Sequence, residues 1–156
     1  MADQLDLPSP GEARIVSASR QVLATPERIF ALIADPTRQP EWDANDNLAS
    51  AVPSQRVRSV GDVFAMTLTR GAVRENHVVE FVEGRRIAWK PAEPGRPAVG
   101  HLWRWELEAI DDERSLVVHT YDWTELHDEA RHERARATTS ERLVASIERL
   151  AALVER

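Results

Sequence analysis

Between residues 62 and 124 five stretches alternate like β-strands, and only afterwards does the chain carry one long amphipathic helix. The stretches are 62–69, 73–82, 86–90, 100–109 and 115–124, with turn signals between them at Gly71, Glu83-Gly84, residues 91–97 and Asp111-Asp112. A weaker strand covers 48–58, broken by Pro53. From about residue 140 to 154, Leu143, Ile147, Leu150 and Val154 recur at helical spacing and mark one apolar face. A run of strands followed by a single such helix predicts an α+β domain, in which a curved antiparallel sheet wraps around the long C-terminal helix.

The segment upstream fits that frame. Residues 15–24 read as a first strand. Thr25 can cap a helix that starts at Pro26, where a missing N–H costs nothing. Ile29, Phe30, Leu32 and Ile33 form its apolar stripe, and Asp35-Pro36 stops it because a residue before proline is pushed out of the α region. A second short helix spans about 37–42 and ends on Trp42. Residues 1–12, with Pro8, Pro10 and Gly11, read as a flexible tail, so one domain is expected over 13–156.

Composition removes several classes of function. A net charge of −6 and the lack of a basic stripe argue against a nucleic-acid partner. No apolar run approaches the roughly 20 residues of a membrane span, and the first residues lack the basic and apolar regions of a signal peptide. The chain has no cysteine, which fits a reducing, cytoplasmic setting and excludes thiol chemistry. Phosphate loops, dinucleotide fingerprints and serine nucleophile elbows are absent.

One run of residues is more specific than its grammar. Ala-Thr-Pro-Glu-Arg-Ile-Phe at 24–30, Ala-Asp-Pro at 34–36 and Pro-Glu-Trp-Asp at 40–43 together resemble the opening of START-like proteins of the SRPBCC superfamily, most closely the polyketide cyclase/dehydrase branch. Gly61-Asp62-Val63-Phe64, then Val78-Val79-Glu80-Phe81 with Arg86-Ile87-Ala88-Trp89, and Tyr121-Asp122-Trp123 follow in the same order. The likeness runs from about Ile15 to the C-terminus. It implies the helix-grip architecture, two short helices after the first strand, and a cavity between sheet and long helix. It also implies a small hydrophobic ligand, aromatic or polyketide-like.

Strand alternation assigns side chains to faces. In 73–82, placing Arg74, Asn76 and Glu80 in water turns Val73, Glu75, His77, Val79 and Phe81 inward. The same rule turns Ile87 and Trp89 inward, then His101, Trp103, Trp105 and Leu107, then Val117, His119, Tyr121 and Trp123. An ordinary core carries Leu, Ile and Val at such positions, whereas tryptophans with a few convergent polar groups suit a pocket for a ring-bearing ligand. The expected ligand-binding residues are Met66, Trp89, His101, Trp103, Trp105 and Trp123. A single inward histidine or tryptophan is more often plain core, so the set carries the expectation.

The expected catalytic residues are Glu75, His77, His119 and Tyr121. A desolvated glutamate or a near-neutral histidine can take a proton α to a carbonyl, and a tyrosine can hydrogen-bond the enolate oxygen. Ring closure or dehydration of a poly-β-ketone needs this chemistry and no cofactor. No metal is expected: His77, His101 and His119 occur singly, and His127 and His132 lack zincin spacing and are expected in solvent. The run 128–136 reads as a solvated loop or helix start. Two other classes stay open, a carrier or sensor of hydrophobic metabolites and a protein-interaction module, and the reading admits a homodimer.

Overall fold

The computed structural model describes residues 13–155, so the expected tail over 1–12 lies outside the described residues. Its strands are β1 (Ile15–Val22), β2 (Leu48–Ser50), β3 (Val63–Leu68), β4 (Val73–Val82), β5 (Arg86–Ala92), β6 (Leu102–Ala109) and β7 (Ser115–Asp122). They form one sheet in the order β1-β7-β6-β5-β4-β3-β2, with antiparallel pairing throughout. Helices α1 (Pro26–Ala34) and α2 (Gln39–Trp42) follow β1, and α3 (His132–Arg136) and α4 (Ser140–Val154) follow β7. This is the helix-grip α+β fold.

Local chemistry sets the helix ends. Thr25 Oγ1 accepts from Arg28 N at 3.4 Å at the start of α1, and Thr139 Oγ1 accepts from Arg142 N at 3.4 Å at the start of α4. Asp35, extended at φ −99° and ψ 107°, ends α1 and then caps a single 3₁₀ turn, Pro36–Arg38, by accepting from Thr37 N at 3.0 Å. Leu143, Ile147, Leu150 and Val154 of α4 are buried, with Ile147 and Leu150 at 0 % exposure. Ile147, Leu150 and Val154 join Ile29, Phe30, Ile33, Trp42 and Trp105 in one core cluster, and Leu143 packs in a second one with Tyr121 and Trp123, so the long helix packs into the concave face of the sheet.

β2 is shorter than expected, three residues rather than eleven, and the rest of 48–58 is irregular around Pro53. The larger departure is in β4. Its pairing with β5 shifts register between Val78 and Glu80, so Val79 is an extra, bulged residue. Val78 and Phe81 both pack into the core, although strict alternation would separate them. Beyond the bulge the expected parity holds: Phe81 packs inside, and Glu80 pairs with Arg104 (2.6 and 2.8 Å). Before it every side chain is on the opposite face from the one expected. Arg74 and Asn76 turn inward with their cross-strand partners Met66 and Phe64, and Glu75 and His77 turn to the convex side. A one-residue slip in a period of two reverses every residue on its far side.

Candidate functional site

β6 and β7 build the site's aromatic wall. Their register places Trp103 opposite Tyr121 and Trp105 opposite His119, and side chains that face each other across antiparallel strands share one side of the sheet. The rings form a continuous ladder. The Trp105 and His119 ring centres are 3.7 Å apart and stacked, Trp103 and Tyr121 4.4 Å, and His101 and Tyr121 6.0 Å. Trp89 joins on β5 opposite Trp103, and Trp42 meets Trp105 edge-on at 5.2 Å. Trp42 Nε1 donates to Leu32 O at 3.0 Å, which ties α2 to the end of α1.

These rings, with Met66, Leu68, Asn76 and Pro91 from β3 to β5, enclose a cavity of about 390 Å³. α2 and the turn after it contribute Gln39, Trp42, Asp43 and Asn45. The segment leading from β7 to α4 closes another side with Leu126, Arg131, Arg134, Ala135 and Thr138. That segment is held down by His132, which is buried rather than solvated, with Nε2 2.6 Å from Leu126 O. His127 is exposed as expected.

The polar groups around the cavity are strongly perturbed. His119 lies 3.0 Å from Arg104 O through Nδ1. A carbonyl only accepts, so Nδ1 carries the proton and Nε2 is left as an acceptor. Burial pushes its pKa down to about 3. His101 falls to about 4, by burial first and then by the charges of Arg131, Arg74 and Arg134. Burial raises the Tyr121 hydroxyl to about 12. Asp43 is raised to about 6, again by burial first, with the Asn45 hydrogen bond opposing. Among these four groups Asp43 alone titrates near neutrality. Three buried polar atoms on the lining residues find no hydrogen-bond partner among the described residues: Asp43 Oδ2, His101 Nδ1 and Trp105 Nε1.

Of the residues singled out from the sequence, Met66, Trp89, His101, Trp103, Trp105, His119 and Tyr121 come together around this cavity. Glu75, His77 and Trp123 do not. Glu75 accepts from Gly95 N at 2.9 Å on the convex side, and His77 stands opposite the exposed Val63. Trp123 faces the interior but packs in a neighbouring cluster with Leu126, Ala135 and Leu143, its ring 4.6 Å from the Arg14 guanidinium. The three histidines weighed for a metal therefore do not converge, and no group of three or more His, Cys, Asp and Glu among the described residues could hold a metal ion. Asp43, Arg74, Asn76, Arg131 and Arg134 are among the lining groups that the sequence did not point to. Asp43 sits in a recognisable turn, but nothing in its neighbours announces burial; Arg74 and Asn76 are hidden by the bulge.

A curved antiparallel sheet gripping a C-terminal helix over such a cavity defines a START-like protein. The chain belongs to the polyketide cyclase/dehydrase and lipid transport family, whose model matches residues 13–155. Two uncharacterised proteins of Mycobacterium tuberculosis, from strains CDC 1551 and H37Rv, are 29 % and 28 % identical over 111 and 110 residues. Each match covers 69 % of this chain and 47 % of the relative, so the chain spans about half the length of the curated relatives it matches. Among solved structures, the XoxI protein of Bacillus cereus superposes with a TM-score of 0.66 at 16 % identity, covering 92 % of this chain and 96 % of that one. A START superfamily protein of Mycobacterium smegmatis gives 0.65 at 16 %, covering 92 % and 98 %. The Aha1 dimer of Colwellia psychrerythraea gives 0.59 at 18 %, covering 90 % and 96 %. At these identities the structures speak for the fold. No helix among the described residues is long and apolar enough to cross a membrane.

Proposed function

We propose that this protein binds a small, ring-bearing, oxygenated ligand, polyketide-like in character, in the cavity walled by its sheet, α2 and the segment leading to α4. The observation that carries the reading is the coincidence of an aromatic wall with three unpartnered buried polar atoms, Asp43 Oδ2, His101 Nδ1 and Trp105 Nε1. A buried polar group without a partner costs about 1–3 kcal/mol, a cost removed when a ligand oxygen or hydroxyl supplies the missing bond. The volume, about 390 Å³, lies at the small end of the roughly 300–1,000 Å³ usual for ligand pockets. A filled core would have favoured a protein-interaction module, and an all-apolar cavity a simple carrier. Titrating the protein with benzoylacetone, a ring-bearing β-diketone, tests binding: its tryptophan fluorescence should be quenched in a saturable way, and Trp103→Ala should weaken the quench. Binding that is indifferent to Trp103, or none at all, sinks the reading.

Asp43 favours a second step, cofactor-free acid–base catalysis of the cyclase or dehydratase kind. Its carboxylate, about 6 in pKa, is mostly ionised at neutral pH and can take the proton α to a ketone. Tyr121, raised to about 12, stays protonated and can donate to the enolate oxygen. The enolate carbon then attacks a second carbonyl, and the new alkoxide recovers a proton from the Asp43 carboxylic acid. His119 and His101, pushed well below neutrality, are too weakly basic for this step and serve as acceptors or donors to the ligand. Deuterium exchange into the acidic methylene of benzoylacetone, followed by NMR, reads proton abstraction directly. Asp43→Asn should slow it at least about a hundredfold while changing affinity less than about tenfold. Equal exchange rates would leave a binding protein without this chemistry.

A further inference from the structure

Among the described residues four arginines line the cavity, Arg74, Arg131, Arg134 and Arg142, against a single carboxylate, Asp43. That balance is opposite to the chain's own, which carries a net charge of −6. The four are not equivalent. Arg131 is committed to Glu93 (3.3 Å) and Asp128 (3.2 Å). Arg74, half-buried on β4, donates only to the neighbouring Val73 O at 3.2 Å, and neither it nor Arg134 has an ion-pair partner among the described residues. From its half-buried position the Arg74 guanidinium would ordinarily reach a carboxylate, because burial of an unpaired charge is unfavourable, whereas Arg134 is exposed.

We infer that the ligand is an acid, a ring-bearing molecule whose carboxylate is held by Arg74 and Arg134 while its rings lie against Trp89 and Trp103. The inference rests on the cavity-binding reading above and deepens it. Arg74 is held below its ordinary pKa by burial and then by the like charges of Arg70 and Arg131, with Glu93 opposing and Arg134 adding to the repulsion. Arg134 lines the same cavity as His101 and Tyr121, and its charge acts on both. An incoming anion relieves this repulsion at the moment it binds. A guanidinium offers paired N–H donors that match a carboxylate, and such charge-assisted bonds are the strong ones. The bulge at Val79 is what makes the site, because without it Arg74 would face solvent.

The test is a matched pair of probes, anthracene-2-carboxylate and its uncharged primary amide, measured by titration calorimetry on the full chain. The acid should bind at least about tenfold more tightly, the value of one good hydrogen bond between charged groups. Raising the salt from about 50 mM to about 500 mM should erode that advantage. Arg74→Gln combined with Arg134→Gln should abolish it while the amide's affinity stays within about threefold. Equal binding of acid and amide to the parent protein overturns the inference and leaves the binding reading intact. A loss shared equally by both probes in the double variant means that the arginines shape the cavity rather than hold an anion, which also overturns it. Binding of neither probe overturns both readings together.

Discussion

Asp43, His101 and His119 give the site a pH dependence whose sign can be worked out residue by residue. The two histidines have folded pKa values of about 4 and about 3, below the ordinary 6.5. Between about pH 6.5 and 4 the unfolded chain therefore binds more protons at these positions than the native one, and stability is lost on acidification. Asp43 works the other way. Its folded value of about 6 exceeds the ordinary 3.8, so protonation through the same window favours the native state. Two histidines outweigh one aspartate, and the protein should lose stability as the pH falls from 7 to about 4.5. Urea midpoints at the two pH values would measure it. His119→Gln should flatten the loss and Asp43→Asn should steepen it; both variants moving the slope the same way would contradict these assignments. The same scale shows why the site was partly illegible. Trp89, Trp103, Trp105, His119 and Tyr121 were readable because alternation alone places them. Asp43 was not, since its character comes from burial by residues distant in sequence.

At the scale of elements, β4 carries the most instructive feature. Its hydrophobic pattern, with Val73, Val78, Val79, Phe81 and Val82, marks a strand but is compatible with either face, and a single extra residue decides which. Nothing local distinguishes Val79 from its neighbours. The short lead into β6 is the opposite case, where one residue type is required. Gly100 sits at φ 122°, a region that side chains rarely adopt, and a Cβ there would overlap the Glu125 carbonyl. Gly100→Ala should therefore cost more than about 2 kcal/mol, beyond the usual range for a surface change, and should displace His101. Thermal denaturation together with the His101 ring resonances would check both. A variant as stable as the parent would mean that the loop relaxes freely.

For the whole molecule, the cavity exists because the sheet, α2 and the segment 126–138 enclose more space than their side chains fill, while α4 adds, among the described residues, only Arg142 to its lining. The contact of α4 with the sheet is solid: Ile147 at 0 % exposure meets the core formed with Trp105 and Phe30. Ile147→Ala should lower unfolding free energy by about 2–5 kcal/mol without changing the denaturant slope, as measured in urea. A much smaller loss would show that this end of the helix interface is also loosely filled. The segment 126–138 closes the other side through Leu126, Ala135 and the buried His132. In the sequence this stretch is a mixed-charge run with few apolar residues, so its role as a wall comes from where it lands.

The succession of strands along the chain, the cap at Thr25, the stop at Pro36 and the stripe Leu143-Ile147-Leu150-Val154 are local or periodic, and the sequence by itself determined them. These signals depend on hydrogen bonds and side-chain spacing within a few residues. The bulge at Val79, the burial of Asp43 and His132, and the inward turn of Arg74 were decided only by the tertiary structure. Each depends on the free energy of fitting a whole sheet around one helix, and that term has no expression within any single stretch of chain.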